Sequence, residues 1–273
     1  MALEVPICTA VSPVEEEVRS IDGTRIGFVK MGTGPAVVFV HGSLATHGDW
    51  FRVAESLADR FTCYLMDRRG HGLSGEGAGP YSIECEYDDI AAVLEAAGPG
   101  ASLVAHSYGA TCSLGCAART EVARIVLYEP PLPIKRTITN GAFEQYCAAL
   151  ESGALEEALV IGMRSFVGLP AEKVEAMRDS SMWTKLSALA PTWPCELEAM
   201  DDLGGSVELY SGIASPTLLL LGTESAQHPF KEAVAALAKV MPHVTVASLP
   251  GQSHMALRTA PQLVTRLIAE FLS

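Results

Sequence analysis

Basic residues are scarce in this chain. Lysine and arginine total 19 against 32 aspartates and glutamates, for a formal net charge of −13. A surface of that sign repels a phosphate backbone, so nonspecific nucleic-acid binding is disfavoured. Long apolar runs are also missing: none reaches the ~18 residues of a membrane span. The seven cysteines are odd in number and include no C-x-x-C, which argues against both a disulfide framework and a metal site. Cys112 and Cys116, one helical turn apart, read as core thiols. The start of the chain, MALEVPICTAVSPVEEEV, has neither a basic opening nor a sustained apolar stretch. It does not read as a secretion signal, and residues up to about 15 read as a loose leader. The expected location is cytoplasmic. No internal repeat, low-complexity tract or P-loop occurs. What remains is 273 residues with 49% apolar content, enough for one large α/β domain with an insertion.

Short apolar runs bounded by turn residues predict the strands. EEVRSI and RIGFVKM flank the turn Asp22-Gly23 as a hairpin. AVVFV, FTCYLM, SLVAH, ARIVLY, TLLLLG and VTVASL follow, and their near-continuous apolar character fits a parallel sheet covered on both faces. Helical spacing appears in Trp50–Arg60, in Ser82–Ala97 with Ser82 as N-cap, and in FKEAVAALAKVM and PQLVTRLIAEFL. The rhythm breaks between about Pro130 and Gly205. Four helical patterns fill that stretch, AFEQYCAALES, LEEALVIGMRSFVG, PAEKVEAMRDS and SMWTKLSALA, with no strand among them. An ordinary crossover is far shorter.

The segment SLVAHSYGA then stands out. An apolar strand ends in Ala105-His106-Ser107-Tyr108-Gly109, and a small-residue helical pattern follows. A serine at such a corner has its hydroxyl pushed out above the sheet, and the positions two before and two after it must be small. The usual motif is G-x-S-x-G; Ala105 replaces the first glycine. His41-Gly42-Ser43 follows AVVFV, Asp67-Arg68-Arg69-Gly70-His71-Gly72-Leu73-Ser74 follows FTCYLM, and Pro250-Gly251-Gln252-Ser253-His254 follows VTVASL. These four motifs, in the chain order HG, DRRGHGLS, serine corner and PGQSH, resemble the α/β-hydrolase superfamily over roughly residues 17 to 272. The resemblance implies an α/β fold, a mostly parallel eight-stranded sheet flanked by helices, with a helical cap insertion. The core domain would comprise residues 1–130 and 206–273, and the cap 131–205. Gly70–Gly75 also matches the dinucleotide fingerprint G-x-G-x-x-G, but it lies beyond two arginines and an aspartate, and no helix opens there. The elbow lacks the aspartate that the family's dehalogenases and epoxide hydrolases use.

Serine needs a base to take its proton and a third group to orient that base. Ser107 is the expected nucleophile and His254 the base. His41 and His71 read as structural turn residues, His106 as pointing elsewhere on the elbow, and His47, His228 and His243 as surface residues. Two glutamates fit the chain order Ser, acid, His. Many family members place an aspartate three residues beyond a glycine after the seventh strand; counted from Gly222, that position is Ser225, with Glu224 one residue early. Others place the acid after the sixth strand, where this chain has Glu129. Glu129 is favoured, and Glu224 is the alternative. Tyr108 and Ser43, or Leu44 in its place, would supply the oxyanion-hole N–H groups. Leu44, Phe166, Trp183, Trp193 and Met255 are the candidate substrate-binding residues. The stretch 131–204 carries 11 acidic and 6 basic residues, a balance that disfavours strongly anionic substrates. The expected reaction is cleavage of a carboxylic ester or lactone of a mainly apolar small molecule, with no metal and no organic cofactor. A C–C hydrolase, an acyltransferase and a slow-turnover ligand-binding or receptor protein are the alternatives. The expected partner is a small-molecule substrate, with no nucleic acid and no membrane; a homodimer is left open.

Overall fold

The computed structural model describes residues 12–273. The leader and secretion-signal readings fall mostly on residues outside that range. Within it, the first strand, β1 (Val14–Arg19), begins inside the stretch read as leader. It is followed by β2 (Arg25–Gly32), β3 (Ala36–Val40), β4 (Thr62–Met66), β5 (Ser102–His106), β6 (Ile125–Tyr128), β7 (Thr217–Gly222) and β8 (Val244–Leu249). They form one sheet in the order β1-β2-β4-β3-β5-β6-β7-β8. β1 and β2 run antiparallel and the other pairings are parallel, apart from β2 against β4. After β4 the chain crosses back over β3 to lay down β5. The order of strands therefore reverses between β3 and β5, and loops leaving their carboxyl ends diverge around a crevice.

Alternate residues of each central strand face opposite layers. Val38 and Val40 of β3, Leu103 and Ala105 of β5, and Leu127 of β6 face one apolar cluster, shared with α2 (Ile83–Ala97) and α3 (Tyr108–Ala117). Val37, Phe39, Val104 and Val126 face the other, with α1 (Phe51–Glu55) packed against it. This double burial is why those strands read as unbroken apolar runs. β8 departs from that reading. It is an edge strand in which only Leu249 is buried and Val246 is 45% exposed. Ser82 does occupy the N-cap of α2 with extended backbone, but its side chain makes no capping bond to the helix.

Between β6 and β7 lie α4 (Phe143–Glu151), α5 (Leu155–Ser165), α6 (Ala171–Arg178), α7 (Ser181–Leu189) and α8 (Trp193–Asp202), with no strand among the described residues there. The last of these, α8, was not among the sequence patterns. Pro194 falls in its first turn, where a missing N–H costs nothing. The chain closes with α9 (Glu232–Val240), α10 (Ala256–Thr259) and α11 (Pro261–Leu272). Among the described residues no helix is long and apolar enough to cross a membrane. The six described cysteines are free, with Cys112 and Cys116 buried on α3.

Candidate active site

Ser107 sits on the corner between β5 and α3 with φ 54° and ψ −129°. Only a tightly constrained backbone holds a serine there. Its N–H donates to the Tyr128 carbonyl at 2.9 Å, which ties the corner to β6. The small neighbours are required by contact. A Cβ on Gly42 would stand 2.7 Å from the Ser107 Cβ, and one on Gly109 would collide with the His41 carbonyl. Ala105 is fully buried.

The His254 loop leaves β8 and returns over this corner. Tyr128 fixes it: its hydroxyl donates to the Ser253 carbonyl and accepts the Ala256 N–H at 3.1 Å. The His254 ring stacks on Phe230 at 4.0 Å. Its Nε2 lies 2.9 Å from the Ser107 Oγ, and its Nδ1 lies 2.7 Å from the Glu129 Oε2. In that geometry Nδ1–H donates to the carboxylate and Nε2 accepts from the serine hydroxyl, which is what proton abstraction from the serine requires. Glu129 is completely buried, with φ 50° at the end of β6. Its other oxygen accepts the Gly222 N–H at 2.6 Å and the Ser225 hydroxyl at 2.5 Å. Ser225, the residue at the position of the usual aspartate, thus supports a carboxylate brought in from the neighbouring strand. Glu224 is half exposed and pairs with Lys173 at 3.0 Å.

Tyr108 opens α3, so its N–H is one of the helix's unpaired first donors. Ser43 and Leu44 line the same pocket as Ser107 and His254, together with Trp193 and Met255. Met163, Val167, Leu186 and Leu257 complete an apolar wall, and Asp49 and Arg258 form an ion pair at 2.8 Å on its rim. The cavity volume is about 60 Å³. Two expected pocket residues do not line it. Phe166 packs edge-on against Tyr146 and Trp193 at 5.3 and 5.4 Å. Trp183 is buried in the core of the insertion. Both residues turn into the space between the short helices, where their apolar faces meet.

The remaining histidines divide. His41 Nδ1–H donates to the Gly42 carbonyl at 2.8 Å while Nε2 accepts the Arg68 N–H at 3.0 Å. Burial, with the Arg68 charge beside it, holds its pKa well below the usual value. His71 Nδ1–H donates to the Arg69 carbonyl at 2.9 Å. His106 Nε2–H donates to the His254 carbonyl at 3.1 Å; its ring packs 4.5 Å from the His254 ring and lines the same pocket, so it does not point away from the site as expected. Two are not the surface residues they were expected to be. His47 is hydrogen-bonded to Asp67 at 2.7 Å, and that bond raises its pKa. His228 is buried, bonded to the Thr137 carbonyl at 3.0 Å. Among the described residues no group of three or more His, Cys, Asp or Glu is placed to hold a metal ion.

A reversed strand order, a strained serine at its switch point and a histidine loop closing over it define an α/β-hydrolase scaffold. The chain belongs to the alpha/beta hydrolase family, whose sequence model matches residues 37–267. It is 28% identical over 265 residues to a 2-(acetamidomethylene)succinate hydrolase of Mesorhizobium japonicum, spanning 93% of this chain and 94% of that protein. It is also 28% identical over 260 residues to a pimeloyl-[acyl-carrier protein] methyl ester esterase of Nitrosospira multiformis, spanning 88% and 95%. The crystal structure of an alpha/beta hydrolase from Sphaerobacter thermophilus superposes with a TM-score of 0.84 at 31% identity, covering 94% of this chain and all of that one.

Proposed function

We propose that this hydrolase cleaves carboxylic esters or lactones of small, mainly apolar molecules through an acyl-enzyme on Ser107. The unbroken chain of hydrogen bonds from Ser107 through His254 to Glu129 carries the reading. His254 takes the serine proton as the hydroxyl attacks the carbonyl carbon. Glu129 orients the ring and stabilises the imidazolium. Backbone N–H groups of Tyr108 and Ser43 receive the oxyanion. His254 then returns the proton to the leaving oxygen, and water releases the acyl group by the same steps in reverse roles. Helices α4 to α8 act as a cap whose Trp193, Met163 and Leu186 bound the acyl pocket. The small volume and apolar wall favour a short, uncharged acyl group. The esterase among the relatives agrees with the bond type.

A serine-directed fluorophosphonate should label Ser107, and p-nitrophenyl acetate and butyrate should be turned over faster than the decanoate. Labelling at another residue, or undiminished hydrolysis by Ser107→Ala, would refute the assignment.

A further inference from the structure

Arg68 is fully buried, and four of its bonds reach three separate parts of the molecule. Nε–H donates to the His41 carbonyl at 3.1 Å and one terminal N–H to the Gly42 carbonyl at 3.3 Å. The other two bonds go to Glu86 of α2 at 2.7 Å and to Glu196 of α8 at 2.5 Å. The guanidinium also lies 4.9 Å over the Tyr108 ring. We propose that Arg68 is the positioning residue of the oxyanion hole, and that through Glu196 it couples the hole to the seating of the helical insertion. The inference rests on the serine-hydrolase reading above.

A peptide unit is planar and trans, so its carbonyl and its N–H point in opposite directions. The Gly42 carbonyl belongs to the same peptide as the Ser43 N–H. Gripped by Arg68 and by His41 Nδ1–H at 2.8 Å, that carbonyl leaves the Ser43 N–H facing away from Arg68. Two donors on one carbonyl also polarise the peptide and strengthen its N–H. The same cluster holds the second half of the hole. The Tyr108 hydroxyl is 2.7 Å from the Tyr81 hydroxyl, which donates to Glu86 at 3.0 Å. Both N–H groups therefore depend on one guanidinium. Glu196 alone among its partners comes from the insertion. Moving α8 away removes that anchor and loosens the hole, so full oxyanion stabilisation is tied to a seated cap.

The test compares wild type, Arg68→Met and Glu196→Gln by steady-state hydrolysis of p-nitrophenyl acetate and by inhibition with phenylboronic acid, whose tetrahedral adduct on Ser107 fills the hole. Arg68→Met should lose about 10- to 100-fold in kcat, part of the cost of deleting a hole donor outright, with KM within about threefold. Boronate affinity should fall in parallel with kcat. Glu196→Gln should move both the same way by less, about 3- to 10-fold. If Arg68→Met does not fold, Arg68→Met/Glu86→Gln/Glu196→Gln removes the three charges together and is measured in its place. A folded Arg68 variant whose kcat and boronate affinity stay within about threefold of wild type, or whose loss is all in KM, overturns the proposal. So does failure of both variants to fold, which assigns Arg68 to stability alone. If wild-type Ser107 takes no fluorophosphonate label, the serine-hydrolase reading itself falls, and this inference with it.

Discussion

Two buried carboxylates are treated in opposite ways. Glu129 accepts from three donors, Gly222 N–H, the Ser225 hydroxyl and His254 Nδ1–H, and both its oxygens are used. Glu86 meets Arg68 and Tyr81 through one oxygen only, and its Oε2 is buried without a partner. Glu196 Oε2 and His71 Nε2 beside it are likewise unpartnered. Burial, with Glu196 and Asp89 adding to it against the pull of Arg68, pushes Glu86 up to about 7. Around Glu129 three donors fix one geometry. Around Glu86 a single arginine faces two carboxylates, and burial among them favours its protonated form more than in water. A fully satisfied carboxylate is set for chemistry, and a partly satisfied one answers to its environment.

Three measurements can break or sharpen that contrast. The largest effect is expected at Glu129. Glu129→Gln should lower kcat by about 10⁴-fold, as loss of a triad acid does, with little change in the melting curve. Glu224→Gln, on the exposed pair with Lys173, should keep most of its activity; equal loss in both variants would dissolve the distinction between a buried and a surface acid. Next comes Glu86. Its value is raised from 4.5 in the unfolded chain to about 7 in the fold. Between those values the native state holds more protons, so the stability it contributes is complete below about 4.5 and is lost as pH rises through about 7. Denaturant midpoints measured from pH 4.5 to 8 should therefore fall less steeply in Glu86→Gln than in wild type. Parallel curves would mean that Glu86 does not titrate differently on folding. The smallest effect belongs to Ser225→Ala. It removes one of three donors to Glu129 and should cost about 10-fold in kcat, the low end of the scale for one hydrogen bond to a charged group, because two donors remain. No change at all would show that the Gly222 and His254 bonds hold the carboxylate unaided.

Much of this was legible in the residues. Ser107 is announced by the small residues packed around a strand-helix corner, His254 by its place after the last strand, and Glu129 by its place at the end of the sixth. Each signal is local. The Arg68 cluster joins residues 68, 86 and 196, which no local pattern connects. A trace of it was nonetheless present. Glu86 falls on the apolar stripe Ile83, Tyr87, Ile90 of α2, and Glu196 falls on the stripe Trp193, Leu197, Met200 of α8. A glutamate on the inward face of a helix needs a buried cation, and Arg68 is the one these two share. His228 and His47 were misjudged because loop position was taken for exposure. Phe166 and Trp183 were misjudged because aromatic character in the insertion does not tell a pocket wall from the packing behind it.

The bond between Ser225 and Glu129 bears on how such an enzyme changes over evolutionary time. The hydroxyl stands 2.5 Å from a carboxylate whose other oxygen is 2.7 Å from the imidazole. Side chains from two strand ends thus meet beside one imidazole, Glu129 touching it and Ser225 touching Glu129. An acid acquired at position 225 before Glu129 was lost would leave a carboxylate next to the imidazole at every step.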